Sequence, residues 1–157
     1  KMLARTFLAD LYIGASVTFW YNHQDYEDYE EFSHWESYGL YRKSDGNSKK
    51  LDPKPAYLAA KAFSSLLKGF RFNRRLTAGR PEEDYVLEFA NTNGGETRYA
   101  AWTRSREAVG IMLRLKNSSY QIFSHLGEKL SDVKTKRGVI SLQLTDAPVY
   151  LIPSPEK

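Results

Sequence analysis

The spacing of hydrophobic residues changes near residue 69, from the period of a helix to the alternation of a strand. In the first part, Leu3, Phe7 and Leu11 lie four positions apart, so they would form one apolar stripe on a helix. A glycine follows this stripe at a position where helices commonly end. The pattern therefore predicts a helix over residues 1–13.

A strand and a second helix are predicted in the same part of the chain. Residues 15–21 are rich in β-branched and aromatic side chains and apolar at nearly every position, which is typical of a buried strand. Residues 54–68 have a proline in the first turn, an apolar stripe, and Gly69 after the last turn. Between them, residues 22–52 form a loop far longer than the usual connection, and such loops are commonly functional or mobile. Helix, strand and helix together have the order of an α/β unit.

The second part of the chain has the pattern of β-strands. The Asn93-Gly94 pair stands between two alternating runs, which is a strong signal for a β-hairpin. Strands are predicted at 70–76, 85–90, 97–102, 108–115, 119–125, 138–144 and 147–152. Their regular spacing, with turn residues between them, predicts an all-β sandwich or small barrel over residues 70–157.

Composition narrows the classes of function. Hydrophobic residues make up 41% of the 157-residue chain, aromatic residues make up 14%, and there is no cysteine. The aromatic content excludes a disordered chain, and the lack of cysteine excludes disulfides, thiolate metal sites and a cysteine nucleophile. No apolar run approaches the roughly 18 residues of a membrane span. The net charge of +4 lies wholly in residues 71–157, where basic residues alternate with apolar ones, so we predict no nucleic-acid partner.

The most informative polar residues follow the predicted strand directly, in the run Trp20-Tyr21-Asn22-His23-Gln24-Asp25. In α/β proteins, functional sites lie outside the carboxyl ends of the strands. Trp20 and Tyr21 offer flat faces on which a sugar ring can stack, and the polar residues offer donors and acceptors for its hydroxyl groups. The alternative remains open that Trp20 belongs to the core and that the polar cluster only caps the loop.

Motifs for other chemistries are absent or weak. The sequence has no phosphate-binding glycine loop, no HExxH motif and no GxSxG motif. Asp25, Asp28 and Glu31 could supply oxygen ligands to a divalent cation, but they lack the spacing of a calcium-binding loop. His23 and His34 lie 11 positions apart, which is not a ligand spacing either. We therefore predict no metal site and no cofactor.

Several local motifs occur in an order that resembles a known enzyme family. The first is the helix LARTFLADLYIGAS leading into FWYNHQD, and the second is SYGLY at Ser37–Tyr41. The third is KPAYLAA at residues 54–60, and the last is the β region with YVLEF, AAWT and a closing PVYL. In this order they resemble the C-terminal end of clan A glycoside hydrolases, most of all family 39 and related enzymes with a trailing β-sandwich. The resemblance covers nearly the whole chain.

The resemblance implies a fold and a division into two domains. Clan A enzymes are (β/α)8 barrels, so residues 1–69 would be the end of a barrel, with its seventh helix, eighth strand and eighth helix. Residues 70–157 would be an antiparallel β-sandwich. The two catalytic glutamates of such enzymes follow the fourth and seventh strands, and both would precede Lys1. This chain alone is therefore expected to contain no catalytic residue and to be inactive, with the N-terminal part of the enzyme as its partner.

The function that the resemblance implies is hydrolysis of a polysaccharide or glycoconjugate by a retaining mechanism, with both carboxylates upstream of this chain. Trp20 would form an aromatic wall of the subsite that holds the cleaved sugar. Tyr21, Asn22, His23 and Asp25 would line the same mouth of the barrel. Two alternatives stay open: a non-catalytic carbohydrate-binding or structural relative of such enzymes, and an independent β-sandwich interaction domain.

One further motif bears on location. Asn117-Ser118-Ser119 is an N-glycosylation sequon in a predicted turn. Many polysaccharide hydrolases act outside the cell or in lysosomes, so the sequon and the resemblance together predict an extracellular or lysosomal glycoprotein. The lack of cysteine argues weakly against that location.

Overall fold

The computed structural model describes residues 1–25, 38–42 and 51–155 of the chain. The helices within these residues are α1 (Met2–Ile13) and α2 (Pro55–Leu67). The strands are β1 (Phe70–Arg75), β2 (Asp84–Asn91), β3 (Thr97–Thr103), β4 (Val109–Arg114), β5 (Ser119–Ser124), β6 (Lys129–Lys134), β7 (Val139–Leu144) and β8 (Val149–Pro153). This order agrees with the predicted change from a helical part to a β part.

Both helices have the predicted bounds to within one residue. Gly14 ends α1 with φ 78° and ψ 25°, in the left-handed region that glycine adopts without steric cost. Here the amide of Gly14 donates to the carbonyl oxygen of Leu11 at 3.3 Å, and the amide of Ala15 donates to that of Asp10 at 2.9 Å. Pro55 occupies the first turn of α2, where no intrahelical donor is needed. Among the described residues, no helix is long and apolar enough to cross a membrane.

The strands form two antiparallel sheets. The larger sheet has six strands in the order β1-β2-β3-β8-β5-β6, and the smaller one consists of β4 and β7. The last strand, β8, lies inside the larger sheet, where Tyr150 pairs with Ala100 of β3 and Leu151 pairs with Ile122 of β5. The two sheets share one hydrophobic core, so the predicted β-sandwich is confirmed.

Both faces of the six-stranded sheet are covered. The core toward the smaller sheet contains Val86, Tyr99, Ala101, Ile111, Leu113, Leu115, Tyr120, Ile122, Ile140, Leu142, Leu144 and Leu151. The core toward the helices contains Leu8, Leu67, Leu87, Phe89, Ala100, Trp102 and Tyr150. Trp102 is 3% exposed, which confirms its predicted place in the core. Because the helices share a core with the sheet, the two parts of the chain are in direct contact, and the domain boundary near residue 69 stays a prediction.

The sequence pattern missed β6, which pairs with β5 at one edge of the larger sheet. Most of its side chains are exposed, and its one leucine, Leu130, is 55% exposed. A polar edge strand is protected against pairing with other chains. For the same reason it lacks the alternation of apolar and polar residues by which a strand is recognised in a sequence.

The predicted buried strand over residues 15–21 is wrong for the structure as described. Within the described residues this segment joins no sheet, and Val17, Phe19 and Tyr21 are 66%, 89% and 69% exposed. A strand needs a neighbour to satisfy its backbone amides and carbonyls, and no described segment pairs with it in a ladder. The barrel portion that the resemblance implies is likewise not seen in these residues and stays a prediction.

Asp84 is a fully buried carboxylate at the start of β2. It accepts hydrogen bonds from the hydroxyl of Thr103 at 2.6 Å and from the backbone amide of Arg80 at 2.7 Å. Burial alone would raise the pKa of Asp84, but these hydrogen bonds and the Arg80 guanidinium outweigh it and lower the pKa. The ionised form therefore ties the loop before β2 to the end of β3.

Glu88, four residues further along β2, is also a buried carboxylate. It accepts hydrogen bonds from the side-chain Nδ2 of Asn73 at 2.7 Å and from Nε of Arg74 at 3.1 Å. Burial alone would raise the pKa of Glu88, but the hydrogen bonds from Arg74 and Asn73 lower it overall. The pairing of β1 with β2 shifts its register between Phe72 and Arg74, so the bonds to Glu88 form at this irregularity.

We expect Glu88 to make the protein acid-sensitive. Its native pKa is lowered, so it contributes stability above its unfolded pKa, near 4.5, and loses that contribution as the pH falls through the native value. In Glu88→Gln, the free energy of unfolding in urea should drop by about 1–2 kcal/mol at neutral pH. As the pH falls below about 4.5, the free energy of unfolding of Glu88→Gln should also decrease less than that of the parent.

The control is Glu82→Gln, which alters an exposed carboxylate on the loop before β2. It should leave both the neutral stability and its pH dependence unchanged. If parent and Glu88→Gln lost stability in acid with the same slope, the assigned role of Glu88 would be contradicted.

Candidate functional site

The candidate site is a compact turn formed by residues 20–25, which we call the site segment. The amides of Leu40 and Tyr41 each donate to the carbonyl oxygen of His23 at 3.1 Å. The amide of Lys54, directly before α2, donates to the carbonyl oxygen of Leu40 at 2.9 Å. Backbone hydrogen bonds therefore join three segments that are distant in the sequence.

Trp20 packs against the helices. Its ring meets the ring of Phe7 edge to face, with centroids 6.4 Å apart, and the half-buried side chain packs against a small cluster of buried residues from α1 and α2. Its indole N–H donates to the carbonyl oxygen of Tyr38 at 2.8 Å. These contacts give Trp20 a place in the packing between the helices. Its predicted role as a wall of a sugar subsite is not tested by them and stays a prediction.

Tyr21 has the opposite environment. Its side chain is 69% exposed, although it is adjacent to Trp20 in the chain. The peptide bond between Tyr21 and Asn22 is cis. Of the two aromatic residues predicted to meet a sugar, Tyr21 is the one with a largely solvent-facing ring.

Asn22 and His23 contribute to the turn in different ways. The carboxamide of Asn22 is engaged within the segment, because Nδ2 donates to the carbonyl oxygen of Gln24 at 2.9 Å and Oδ1 accepts the amide of His23 at 2.6 Å. The imidazole of His23 is exposed. Asn22 therefore forms hydrogen bonds that cap the loop, which is what the second interpretation in the sequence analysis expects of the polar residues. His23, in contrast, has its ring at the surface.

Two tyrosines that sequence reasoning did not assign to the site lie beside His23. The ring of Tyr41 contacts that of His23 at a centroid distance of 5.1 Å and that of Tyr57, in α2, at 4.9 Å. Burial and the hydrogen bond to Tyr57 raise the pKa of Tyr41. Both tyrosines belong to the quoted motifs SYGLY and KPAYLAA, but their contact joins separate elements and leaves no local signal.

Asp25 is engaged in an ion pair. Nζ of Lys54 lies 2.8 Å from Oδ1 and 2.7 Å from Oδ2, and the amide of Gly39 donates to Oδ1 at 2.9 Å. The side chains of Lys54 and Asp25 are 16% and 20% exposed. The structure therefore places Asp25 in the same turn as the other predicted site residues, but with its carboxylate bound by the protein.

The candidate metal ligands are not brought together in the part of the chain that the structure describes. No group of three potential ligands occurs there. Asp28, Glu31 and His34 lie outside the described residues. Neither of the weighed metal sites therefore has a described geometry.

Asn117, the predicted glycosylation site, lies in the turn before β5. Its Oδ1 accepts a hydrogen bond from the phenol of Tyr120 at 3.2 Å, and its backbone amide donates to the phenol oxygen of Tyr120 at 3.0 Å. The residue is half-buried. These contacts fix the turn, and glycosylation of Asn117 stays a prediction.

Comparison with known proteins gives matches among solved structures. No protein-family model and no curated protein matches the sequence. The structure of a family 39 glycoside hydrolase from the gut symbiont Bacteroides cellulosilyticus WH2 matches 97% of this chain, with a TM-score of 0.76 and 28% sequence identity. A family 30 endoxylanase from Clostridium papyrosolvens C71 matches 66% of the chain, with a TM-score of 0.54 and 14% identity, which shows a shared fold alone.

The predicted resemblance to family 39 glycoside hydrolases is confirmed by the first of these structures. The present chain covers 29% of that enzyme and 28% of the endoxylanase, so it spans less than a third of the length of either. The first of these matches supports a relative of glycoside hydrolases, and its coverage of 97% of the chain extends over the helices as well as the β-sandwich.

We expect Trp20 and Tyr21 to differ sharply in their effect on stability. Trp20→Ala removes a ring packed between α1 and α2 and should lower the free energy of unfolding by about 2 kcal/mol, less than for a fully buried ring. Tyr21→Ala removes a largely exposed ring and should change it by less than about 0.5 kcal/mol. Urea denaturation of both variants measures the difference. Equal losses would contradict the distinction between the two side chains.

Proposed function

We propose that this chain is the C-terminal portion of a retaining glycoside hydrolase that acts on a polysaccharide or glycoconjugate. The observation that carries the proposal is the match of 97% of the chain to a family 39 glycoside hydrolase, at a TM-score of 0.76 and 28% identity. Because the chain covers 29% of that enzyme, the activity of the whole protein is itself part of the proposal. In it, residues 1–69 form the end of a (β/α)8 barrel, and residues 70–157 brace it.

The site segment supplies groups that suit a sugar. The exposed ring of Tyr21 offers a flat apolar face, and the imidazole of His23, two positions further along the chain, offers ring nitrogens for hydrogen bonds. Trp20 and Asn22 belong to the same proposed site. Trp20 packs against the helices and so anchors the site segment, and the hydrogen bond of Asn22 to Gln24 holds its turn. Asp25, which we also place in this site, is bound to Lys54.

The proposed reaction divides its groups between two parts of the protein. Retaining hydrolysis uses one carboxylate as nucleophile and a second as acid and then base, about 5–5.5 Å apart. We place both carboxylates upstream of this chain, so the chain alone would bind at one wall of the groove and would not hydrolyse. Its partners are then the carbohydrate and the N-terminal part of the same enzyme, and the sequon at Asn117 supports an extracellular or lysosomal glycoprotein.

The experiment that tests the proposal uses the natural full-length protein. It is incubated with a panel of soluble polysaccharides, among them xylan, mixed-linkage β-glucan, mannan, pectin and a glycosaminoglycan, and the release of reducing ends is measured. Proton NMR of the first products should show the same anomeric configuration as the substrate. Inversion would contradict the retaining mechanism.

The same panel separates the enzyme from its alternative. Binding without hydrolysis, measured by affinity electrophoresis, would indicate the non-catalytic carbohydrate-binding relative. If the protein neither bound nor hydrolysed any polysaccharide of the panel, the proposal would be overturned.

We expect Tyr21→Ala to weaken the action on sugar without weakening the fold. Loss of the exposed ring should lower kcat/KM on the best polysaccharide by about tenfold, the equivalent of ~1.4 kcal/mol of stacking. The matched control is Tyr12→Ala, which removes a tyrosine of α1 whose ring contacts Phe72 of β1 rather than the site segment. An unchanged kcat/KM in Tyr21→Ala, or an equal loss in the control, would remove Tyr21 from the site.

A further inference from the structure

We infer that Asp25 and Lys54 are positioning residues, whose ion pair holds the site segment in the arrangement in which Tyr21 and His23 meet a sugar. The inference rests on the proposed function and deepens it. It gives Asp25 a role through other residues rather than a direct contact with sugar, and it adds Lys54, which lies 29 positions further along the chain.

The geometry of the pair is that of a built contact rather than a surface encounter. Nζ of Lys54 reaches both oxygens of Asp25, at 2.8 and 2.7 Å, and both side chains are at least four-fifths buried. Oδ1 also accepts the amide of Gly39 at 2.9 Å. Charge-assisted hydrogen bonds of this length are about twice as strong as neutral ones. The carboxylate is thus bound from two directions by groups of the protein.

The position of Lys54 on its helix supports the same role. It is the N-cap residue of α2, with no side-chain hydrogen bond that caps the helix. The N-terminus of a helix is the positive end of its dipole, where a cation is disfavoured and an anion is favoured. Helix stability alone therefore does not account for a lysine here. Its ion pair with Asp25 does account for it, because the pair brings a carboxylate to the positive end of α2.

Gly39 shows how closely the surrounding chain is fitted to the pair. A Cβ atom at this position would lie 2.4 Å from the backbone nitrogen of Asp25 and 2.6 Å from its Oδ1. Only glycine permits that approach. The next two residues, Leu40 and Tyr41, donate their amides to the carbonyl oxygen of His23. The segment that contacts Asp25, residues 38–42, is therefore the same segment that holds the backbone of His23.

A row of aromatic rings provides a second link to α2 beside the ion pair. His23 contacts Tyr41, and Tyr41 contacts Tyr57 in the first turns of the helix. If Asp25 were released from Lys54, the turn could shift and the ring of His23 would lose its backing. The ion pair and the rings thus fix the segment at both its charged and its aromatic side.

The test uses the natural full-length protein with the variants Lys54→Met and Asp25→Asn. Lys54→Arg, which keeps the charge, should retain most of the function. Lys61→Met, which alters an exposed lysine of the same helix, is the matched control. Gly39→Ala is a second way to displace the segment, because it leaves both charges in place.

Two readouts are needed. Hydrogen exchange, measured by mass spectrometry, should accelerate in Lys54→Met within residues 20–25 and 38–42 and stay unchanged in β2 and β3. On the polysaccharide that the parent hydrolyses fastest, KM should rise about tenfold in Lys54→Met, Asp25→Asn and Gly39→Ala, with kcat within about twofold of the parent. A purely structural role would leave KM unchanged in variants that remain folded.

Each other outcome overturns one identifiable statement. Unchanged exchange in Lys54→Met would show that the pair does not hold the segment. Faster local exchange with an unchanged KM would show that the segment's position does not matter to the sugar. Failure of the parent to hydrolyse or bind any polysaccharide would overturn the proposed function, and the positioning role with it, whatever the exchange data show.

Discussion

The structure depends on one constraint: the six-stranded sheet has two apolar faces, and both must be covered. The smaller sheet covers one face, and α1 and α2 cover the other. Packing on the same face of the sheet therefore helps to fix the two helices relative to each other. This matters for the candidate site, because the site segment leaves α1 and is fastened to the beginning of α2. Trp20 packs against residues of both helices and Lys54 reaches Asp25 from the start of α2, so both contacts depend on where the helices lie.

Much of this fold could be predicted from the sequence, wherever a local signal determines the local structure. Gly14 and Pro55 mark helix ends through backbone chemistry that acts within a few residues, and the Asn93-Gly94 turn marks the hairpin of β2 and β3. The polar edge strand β6 has no such signal. Residues 15–21 have a misleading one, because an apolar run indicates a need for cover but does not contain the neighbour that would provide it.

The candidate site divides in the same way. The types of residue that suit a sugar could be predicted in Trp20–Asp25, but their states could not. Which of two adjacent aromatic rings packs and which remains exposed depends on where α1 and α2 meet, and that is set by the sheet. The partner of Asp25 and the contact between Tyr41 and Tyr57 are long-range facts, produced when three separate segments come together. The spacing of residues in the sequence contains no measure of such distances.

The central position of β8 has a consequence for synthesis of the protein. Among the described strands of the larger sheet, β8 alone provides the hydrogen-bonded connection between the β1-β2-β3 half and the β5-β6 half. During synthesis, β8 leaves the ribosome after the other five strands of this sheet. Until then, the growing chain has two unpaired sheet edges, on β3 and β5. Open edges are where chains associate wrongly. The nascent chain thus exposes both edges until β8 has been synthesised.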